Sequence, residues 1–316
     1  MNVYQEVLEA QRRIRPHIRE TLLERSAHFS KLGAAEVYFK LENLQHTGSF
    51  KVRGALNKVL SLTDAQNACG VVTASSGNHG AAVAFALAKT GALGKVLVPR
   101  HASTAKVANI ERLGAEVIFA GDDSAETELH ARRYATENSF TYISPYNDAQ
   151  VIGGQGTIAV ELLRQLSPID AVFVAIGGGG LISGIAGHFA ETSPATRVYG
   201  VSPENSQVMI RSIAANEILD LPSEPTISDG TAGGVEPGAM TFELIRDHVD
   251  ELVTVSEDEI RSAMREYMGS EHQMIEGAAG TAIAGYLQQR KALEGLNVVV
   301  IVCGANIALD VLKTVL

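Results

Sequence analysis

The sequence predicts an α/β chain folded as two open parallel sheets. Two observations carry this: short β-branched runs recur between helical stretches, and those runs are apolar nearly throughout, as strands covered on both faces must be. The opening MNVYQEVLEAQRRI has the period of an amphipathic helix, and Phe39 and Leu41 alternate with charged residues as in a half-buried strand. His46-Thr47-Gly48-Ser49 is turn chemistry, after which Phe50, Val52, Leu56 and Val59 mark a helix. From Gly70 onward the candidate strands are Val71 to Ala74, Val96 to Val98, Val117 to Phe119 and Thr141 to Ile143, with helices near 78 to 90, 103 to 113 and 123 to 138. A second series follows a longer helix at 149 to 166. Its strands are Val172 to Ile176, Val198 to Val201, Leu252 to Val255 and Val298 to Val302, and its helices lie near 181 to 190, 204 to 216, 256 to 269, 277 to 289 and 306 to 314. The first 60 or so residues have no room in the small block and are expected to pair with the second series. This gives a large domain of 1–65 plus 148–316 and a small domain of 66–147. Residues 222 to 238, LPSEPTISDGTAGGVEPG with its leading leucine, break periodicity for long enough to form an active-site loop.

Composition removes several classes of function. With 316 residues, 46% hydrophobic and 20% charged, the chain can bury one large core or two. Its formal charge of -10 and the lack of a lysine or arginine run argue against a nucleic-acid partner. Cys69 and Cys303 are too few for a disulfide framework and sit among apolar residues, as reduced thiols of a cytoplasmic protein do. The acidic first helix is no export signal, and the longest uncharged run, Ala171 to Gly187, is short for a membrane span and carries four glycines. No partner membrane is expected.

Lys51 is the residue most at odds with its place. It falls in the first turn of its helix, where free backbone N–H groups and the positive dipole end disfavour another cation. Such a lysine is either solvated or kept for a task, and condensing with an aldehyde is one such task.

Three strand ends offer further chemistry. Ala175-Ile176-Gly177-Gly178-Gly179-Gly180-Leu181 runs from a buried strand through four glycines into a helix, a construction in which successive N–H groups can hold a phosphate. A dinucleotide fingerprint starting at Gly177 or Gly178 puts Ile182 or Ser183 at its last glycine, so an oxidoreductase is weakened, although Glu204 stands at a suitable distance for a ribose contact. Thr73-Ala74-Ser75-Ser76-Gly77-Asn78-His79-Gly80 places hydroxyl and amide donors beside free helix N–H groups, a seat for a carboxylate or simply an N-cap. Val300-Ile301-Val302-Cys303-Gly304-Ala305-Asn306 ends an apolar strand at a thiol that, taken alone, is a packed small hydrophobe. All three lie where ligands sit in open α/β sheets.

Ser49-Phe50-Lys51-Val52-Arg53-Gly54-Ala55, Ser75-Ser76-Gly77-Asn78-His79-Gly80, the tetraglycine and Cys303-Gly304-Ala305-Asn306, in this order, resemble the serine/threonine dehydratase and serine racemase family. The resemblance runs from about residue 3 to residue 314. It implies the tryptophan-synthase-β-like fold of fold-type II pyridoxal-phosphate enzymes and the cofactor pyridoxal 5'-phosphate. Cysteine synthases of this fold carry a different lysine motif, which weighs against β-replacement. By resemblance, Lys51 forms the Schiff base, Gly177, Gly178, Gly179 and Gly180 hold the phosphate, and Phe50 packs beside the ring. Asn78 would bond the ring 3-hydroxyl, and Cys303 would stand against the pyridine nitrogen. Ser75, Ser76, Gly77 and His79 would take the substrate carboxylate. A thiol there does not stabilise a pyridinium, so the ring is a weaker electron sink and β-elimination is favoured over transamination. The implied reaction is removal of the Cα proton of a β-hydroxy amino acid by Lys51, loss of the hydroxyl with the cofactor phosphate as its acid, and hydrolysis to a 2-oxo acid and ammonia.

The departures from the family pattern are informative. Ser76 is serine, as in racemases, where threonine dehydratases often have alanine, so Ser76 is a candidate acid for the opposite face of Cα. Ser202 and Val208 replace the carboxylates of the racemase cation site, and no metal is expected. Ala305 replaces a second glycine, which predicts an altered turn beside Cys303. No appended regulatory domain is expected after Leu316, and a homodimer is expected from relatives alone. A dehydratase of serine, threonine or a relative, a racemase of the same fold, and a noncatalytic small-molecule sensor remain the three readings. Side-chain choice is expected to fall to Tyr146 and the Thr231 to Glu236 loop, whose Gly233-Gly234-Val235-Glu236 points away from plain threonine.

Overall fold

The computed structural model describes all 316 residues. The helices are α1 (Val3–Ile14), α2 (Ala27–Gly33), α3 (Lys51–Leu60), α4 (Asp64–Cys69), α5 (Asn78–Thr90), α6 (Thr104–Arg112), α7 (Ser124–Asn138), α8 (Ala149–Gln165), α9 (Gly180–Thr192), α10 (Val208–Ala215), α11 (Met240–His248), α12 (Glu257–Glu271), α13 (Gly277–Gln289) and α14 (Leu309–Lys313). The strands are β1 (Leu23–Arg25), β2 (Glu36–Leu41), β3 (Val71–Ala74), β4 (Gly94–Val98), β5 (Glu116–Phe119), β6 (Thr141–Tyr142), β7 (Ala171–Ala175), β8 (Arg197–Pro203), β9 (Glu251–Val255) and β10 (Asn297–Val302). Six strands form one sheet in the order β1-β2-β10-β7-β8-β9, and four form the other in the order β5-β4-β3-β6. All pairs are parallel except β1 with β2, an antiparallel edge the sequence pattern does not announce.

The apolar runs explain the strand order. Every residue of β7 is buried, as are the last five of β10, so these strands take the centre of the large sheet, where helices cover both faces. The main core gathers around them, with Phe39, Phe173, Val299, Ile301 and Tyr286. A second core joins Val71 and Val96 of the small sheet and Val83 of α5 to Ile14, Val52, Leu56, Val59 and Val151. The lysine segment is therefore divided between the two sheets. β2 pairs with the large sheet, whereas α3 sinks its apolar face into the core of the small one, because an amphipathic helix needs a cover and α5 with the small sheet supplies it. Two neighbouring elements within residues 1–65 thus bury their apolar faces in different cores.

α8 fixes the two functional helices against each other. A Cβ on Gly154 would lie 2.6 Å from the Gly54 Cα, and one on Gly156 would lie 2.7 Å from the Gly184 carbonyl oxygen. Only bare backbone fits these crossings, so α3 and α9 approach opposite flanks of the same helix. Beside the first crossing lies a fully buried charge cluster. Arg53 Nε donates to Glu42 Oε2 at 2.7 Å and Nη1 to Glu161 Oε1 at 2.8 Å, and Lys40 Nζ donates to Glu161 Oε2 at 2.6 Å. Burial works against the guanidinium charge, but Glu42 and Glu161 more than offset it and hold Arg53 above its ordinary value. Burial pulls Lys40 below its ordinary value despite Glu161 and Glu42, and it also opposes the Glu161 charge, which Arg53 and Lys40 nevertheless stabilise.

Removing one member of such a cluster strands the others. Arg53→Met leaves Glu42 and Glu161 buried and short of countercharge, and it is expected to cost about 3–5 kcal/mol, read as a lowered urea unfolding midpoint.

Candidate active site

Lys51 opens α3, with Phe50 as the N-cap residue and no side-chain cap. The turn before it is unusual. Thr47 has φ 65 and ψ 5, a left-handed conformation costly for a β-branched residue, and Gly48 follows at φ 73. The end of β10 holds this turn in place: Phe50 N donates to the Cys303 carbonyl and Ala305 N to the Gly48 carbonyl, each at 3.0 Å. Ala305 needs no glycine freedom for this, because its φ stays outside the left-handed region. Lys51 Nζ donates to the Pro145 carbonyl at 2.8 Å and lies 5.2 Å from the Phe50 ring centroid. Lost hydration lowers its proton affinity to about 8, against the opposing pull of Cys303 and Glu276. The amine is thus closer to its nucleophilic, neutral form than a surface lysine is.

The tetraglycine turn lies on the other side of the segment that holds this amine. Tyr146, next to Pro145, covers it: a Cβ on Gly178 would lie 2.4 Å from the Tyr146 ring, and one on Gly180 would lie 2.9 Å from the Tyr146 Cα. Gly179 has φ +89, and Thr241 Oγ1 donates to the Gly178 carbonyl at 2.7 Å. The turn leads directly into the N-terminus of α9, where the first backbone N–H groups lack helical acceptors. Ser183 Oγ, in the first turn of that helix, is buried without a partner.

From the small sheet, Ser75 and Ser76 follow β3 half-buried, and Ser75 Oγ accepts from Gly77 N at 3.2 Å. His79 contributes backbone only. Its ring is buried against the Ile143 carbonyl at 3.1 Å, and burial together with the Lys51 charge pushes its pKa down to about 3. It is a neutral packing group, while Gly77 and His79 main chain remain at the open start of α5.

The structure adds two residues that carried no role in the sequence. Glu276, at the N-cap of α13, is buried and makes no capping bond. Both of its carboxylate oxygens accept from Asn78 Nδ2 at 3.0 Å, Oε2 accepts from Asn306 N at 3.0 Å, and Oε1 lies 3.9 Å from Cys303 Sγ. Asn306 Nδ2 in turn donates to Asn78 Oδ1 at 2.6 Å and to the Thr47 carbonyl at 2.8 Å. Burial pushes Glu276 up to about 7, and burial with the Glu276 charge holds the Cys303 thiol well above its ordinary value. One signal was present in the sequence: Glu276 is the only aspartate, glutamate, lysine or arginine from 272 to 289. A helix-start acid has an ordinary capping explanation, which conceals it.

The loop after α10 closes the remaining side. Thr231 backbone lies against Gly177, and Glu236 N donates to Tyr146 Oη at 2.9 Å. Two ion pairs tie this loop to the small sheet's helices: Lys106 with Asp229 at 3.1 Å, and Arg132 with Glu236. Ser202, at the end of β8, donates to the Ile176 carbonyl at 3.1 Å, and Val208 is buried.

A buried amine of lowered proton affinity near a glycine turn that opens a helix suits an enzyme that works through a carbonyl cofactor bearing a phosphate. The chain belongs to the pyridoxal-phosphate dependent enzyme family, which matches residues 14–304. It is 40% identical over 307 residues to the L-threonine dehydratase catabolic TdcB of Escherichia coli strain K12, covering 96% of this chain and 93% of that one. The processed form of threonine deaminase isoform 2 from Solanum lycopersicum superimposes with a TM-score of 0.95 at 32% identity, over 99% of this chain and 92% of that one. Maize serine racemase gives 0.93 at 34%, over 98% and 95%. The residues present fit pyridoxal 5'-phosphate. The Ser183 hydroxyl is buried without a partner beside the free N–H groups that open α9, a place for an anionic group, and the Lys51 amine has a single protein acceptor.

The lowered proton affinity of Lys51 has a direct readout in the cofactor-free protein. The rate at which it captures added pyridoxal phosphate is expected to rise with pH through a midpoint near 8, not the 10.5 of an ordinary lysine, because only the neutral amine attacks an aldehyde. Stopped-flow absorbance across pH 6.5 to 10 checks this, as an order-of-magnitude range about that midpoint.

Proposed function

We propose that this chain is an ammonia-lyase that converts a β-hydroxy amino acid of the threonine or serine class to a 2-oxo acid and ammonia. The observation that carries the reading is the Lys51 amine, pulled towards neutrality and held by Pro145, whose neighbour Tyr146 packs on the glycine turn that opens α9. The names of the similar dehydratase and deaminase point the same way.

Gly177 to Gly180 and the N-terminus of α9 would hold the cofactor phosphate, Phe50 would flank its ring, Asn78 would face its 3-hydroxyl and Cys303 its nitrogen. When bound, the cofactor supplies an electron sink for charge developing at Cα and a phosphate able to protonate the departing hydroxyl. Lys51, its proton affinity lowered to about 8, takes the proton from Cα in its neutral form, which is far more populated than in an ordinary lysine. The Ser75 to His79 backbone and the serine hydroxyls orient the substrate carboxylate, where the start of α5 favours negative charge. Cys303 stays protonated because burial and Glu276 disfavour its thiolate, so it offers the ring nitrogen no anion. The hydroxyl leaves as water, and the enamine left behind is hydrolysed to 2-oxo acid and ammonia. Cα and Cβ each lose one substituent, and no oxidant is needed.

A second reading, racemisation, is favoured by Ser76, whose half-buried hydroxyl stands in the same loop as Asn78. By analogy with relatives we also assign the chain to a cytoplasmic homodimer.

Lys51→Ala is expected to remove the visible absorbance of bound cofactor and essentially all turnover. A variant that kept either at the wild-type level would sink the role of this lysine. Incubating L-serine, L-threonine and larger 3-hydroxy amino acids with the holoenzyme, and following ammonia release alongside chiral inversion, separates the two readings. The first predicts that ammonia dominates, with Ser76→Ala removing only the inversion.

A further inference from the structure

Glu276 is the one ionisable group in contact with both halves of the cofactor-facing surface that the reaction, as described above, does not use. We propose that Glu276 is a positioning residue of this site: its carboxyl sets the direction of the Asn78 amide and the course of the Cys303-Gly304-Ala305-Asn306 turn, and its charge sets how the two meet the cofactor ring. The proposal rests on the reading of the cleft as a pyridoxal-phosphate site.

The geometry allows little freedom. Asn78 comes from the small sheet's α5, Cys303 and Asn306 come from the end of β10 in the large sheet, and Glu276 reaches both from the start of α13. A carboxylate facing an amide can only accept, so the Asn78 nitrogen edge is turned to Glu276 and its oxygen edge to Asn306 Nδ2. The same Asn306 side chain bonds the Thr47 carbonyl, in the left-handed turn four residues before Lys51. A single carboxyl therefore sets the two groups placed at the 3-hydroxyl and the ring nitrogen, and through Asn306 it reaches the lysine turn. Space is tight: a Cβ on Gly304 would lie 2.6 Å from Glu276 Oε1, so the carboxyl occupies the place that a side chain at 304 would need.

The charged groups around Glu276 pull in opposite directions. Asp229, on the loop after α10, raises its proton affinity and Lys106 on α6 lowers it, while the Lys51 amine on α3 and the Cys303 thiol complete its surroundings. Burial is the largest influence, and it places the carboxyl near 7, where both protonation states are populated in the working range of a neutral enzyme. Charged, Glu276 accepts from Asn78 and Asn306 N and disfavours the Cys303 thiolate. Protonated, it loses an acceptor site, and one side of the Asn78 anchorage loosens.

The test uses the holoenzyme with Glu276→Gln, which keeps size and hydrogen bonding without charge, and with Glu276→Ala, which removes both. Wild-type protein is expected to show a step in the visible absorbance of its bound cofactor with a midpoint near 7, and Glu276→Gln is expected to lose the step while retaining the cofactor. Glu276→Ala is expected to bind cofactor about tenfold more weakly, measured by titrating the cofactor-free protein, with the loss of two charge-assisted hydrogen bonds as the cause. A step that persists in Glu276→Gln overturns the proposal, as does wild-type cofactor affinity in Glu276→Ala. Should Glu276→Ala not fold, the Glu276→Gln spectrum decides alone. Failure of the underlying reading looks different: wild-type protein itself would take up no cofactor.

Discussion

The pairing of Arg53 with Glu161 is the constraint on which the rest of the molecule depends. Both side chains are fully buried, so neither can leave the other without stranding a charge where water does not reach. One stands on α3, two residues after Lys51, and the other on α8, and the bond between them forms only where Gly54 and Gly154 let the two helices touch backbone to backbone. Two residues beyond Gly154, Gly156 meets Gly184 of α9, whose first residue closes the phosphate turn. The spacing of amine and anion site is thus set by contacts that are themselves neither amine nor anion site. Charge supplies the direction of the approach and missing side chains supply its closeness.

The electrostatics of the cleft follow from exclusion of water rather than from any excess of charge. Lys51 is driven down, Glu276 and Cys303 are driven up and His79 is kept neutral, all with burial as the leading cause. Each shift disfavours the ionised form. A site so arranged starts with few fixed charges and lets an incoming anionic cofactor and a zwitterionic substrate decide the field, which suits a reaction whose key step creates and discharges a carbanion.

Much of this was legible in the sequence, and the exceptions have physical reasons. Long buried strands and glycine-punctuated helices declare themselves: β3 and α5 run where the pattern puts them, because a β-branched run followed by a small-residue helix has few alternatives. Helix starts were less legible where tertiary bonds compete. α14 begins at Leu309 and not at 306, since Asn306 is occupied with Glu276, Asn78 and Thr47, and α10 waits until Val208 behind a short tight turn at Glu204–Ser206. β1, α2 and α4 are too short to raise a periodic signal. Of the site, Lys51 and the glycine turn stood out by their cost to stability, whereas the serine loop and Cys303 each had an ordinary structural reading and gained weight only from lying at strand ends with them and from the family resemblance. Glu276 and Arg53 did not stand out, because the mark of each is a partner far away in the chain, Asn306 in one case and Glu161 in the other. His79 carried two readings, an ordinary helix-start histidine and a member of the carboxylate loop, and its ring turns to the interior, against the Ile143 carbonyl.

The loop over the glycine turn belongs by connectivity to the large sheet, yet its two ends are tethered to helices of the small one, through Asp229 to Lys106 and Glu236 to Arg132. These tethers are partly exposed ion pairs, so the loop is joined to the small sheet by surface charge and not by packing. The hold of one sheet on the other across this loop is thus sensitive to salt, whereas the two cores beneath it, built on apolar burial, are not.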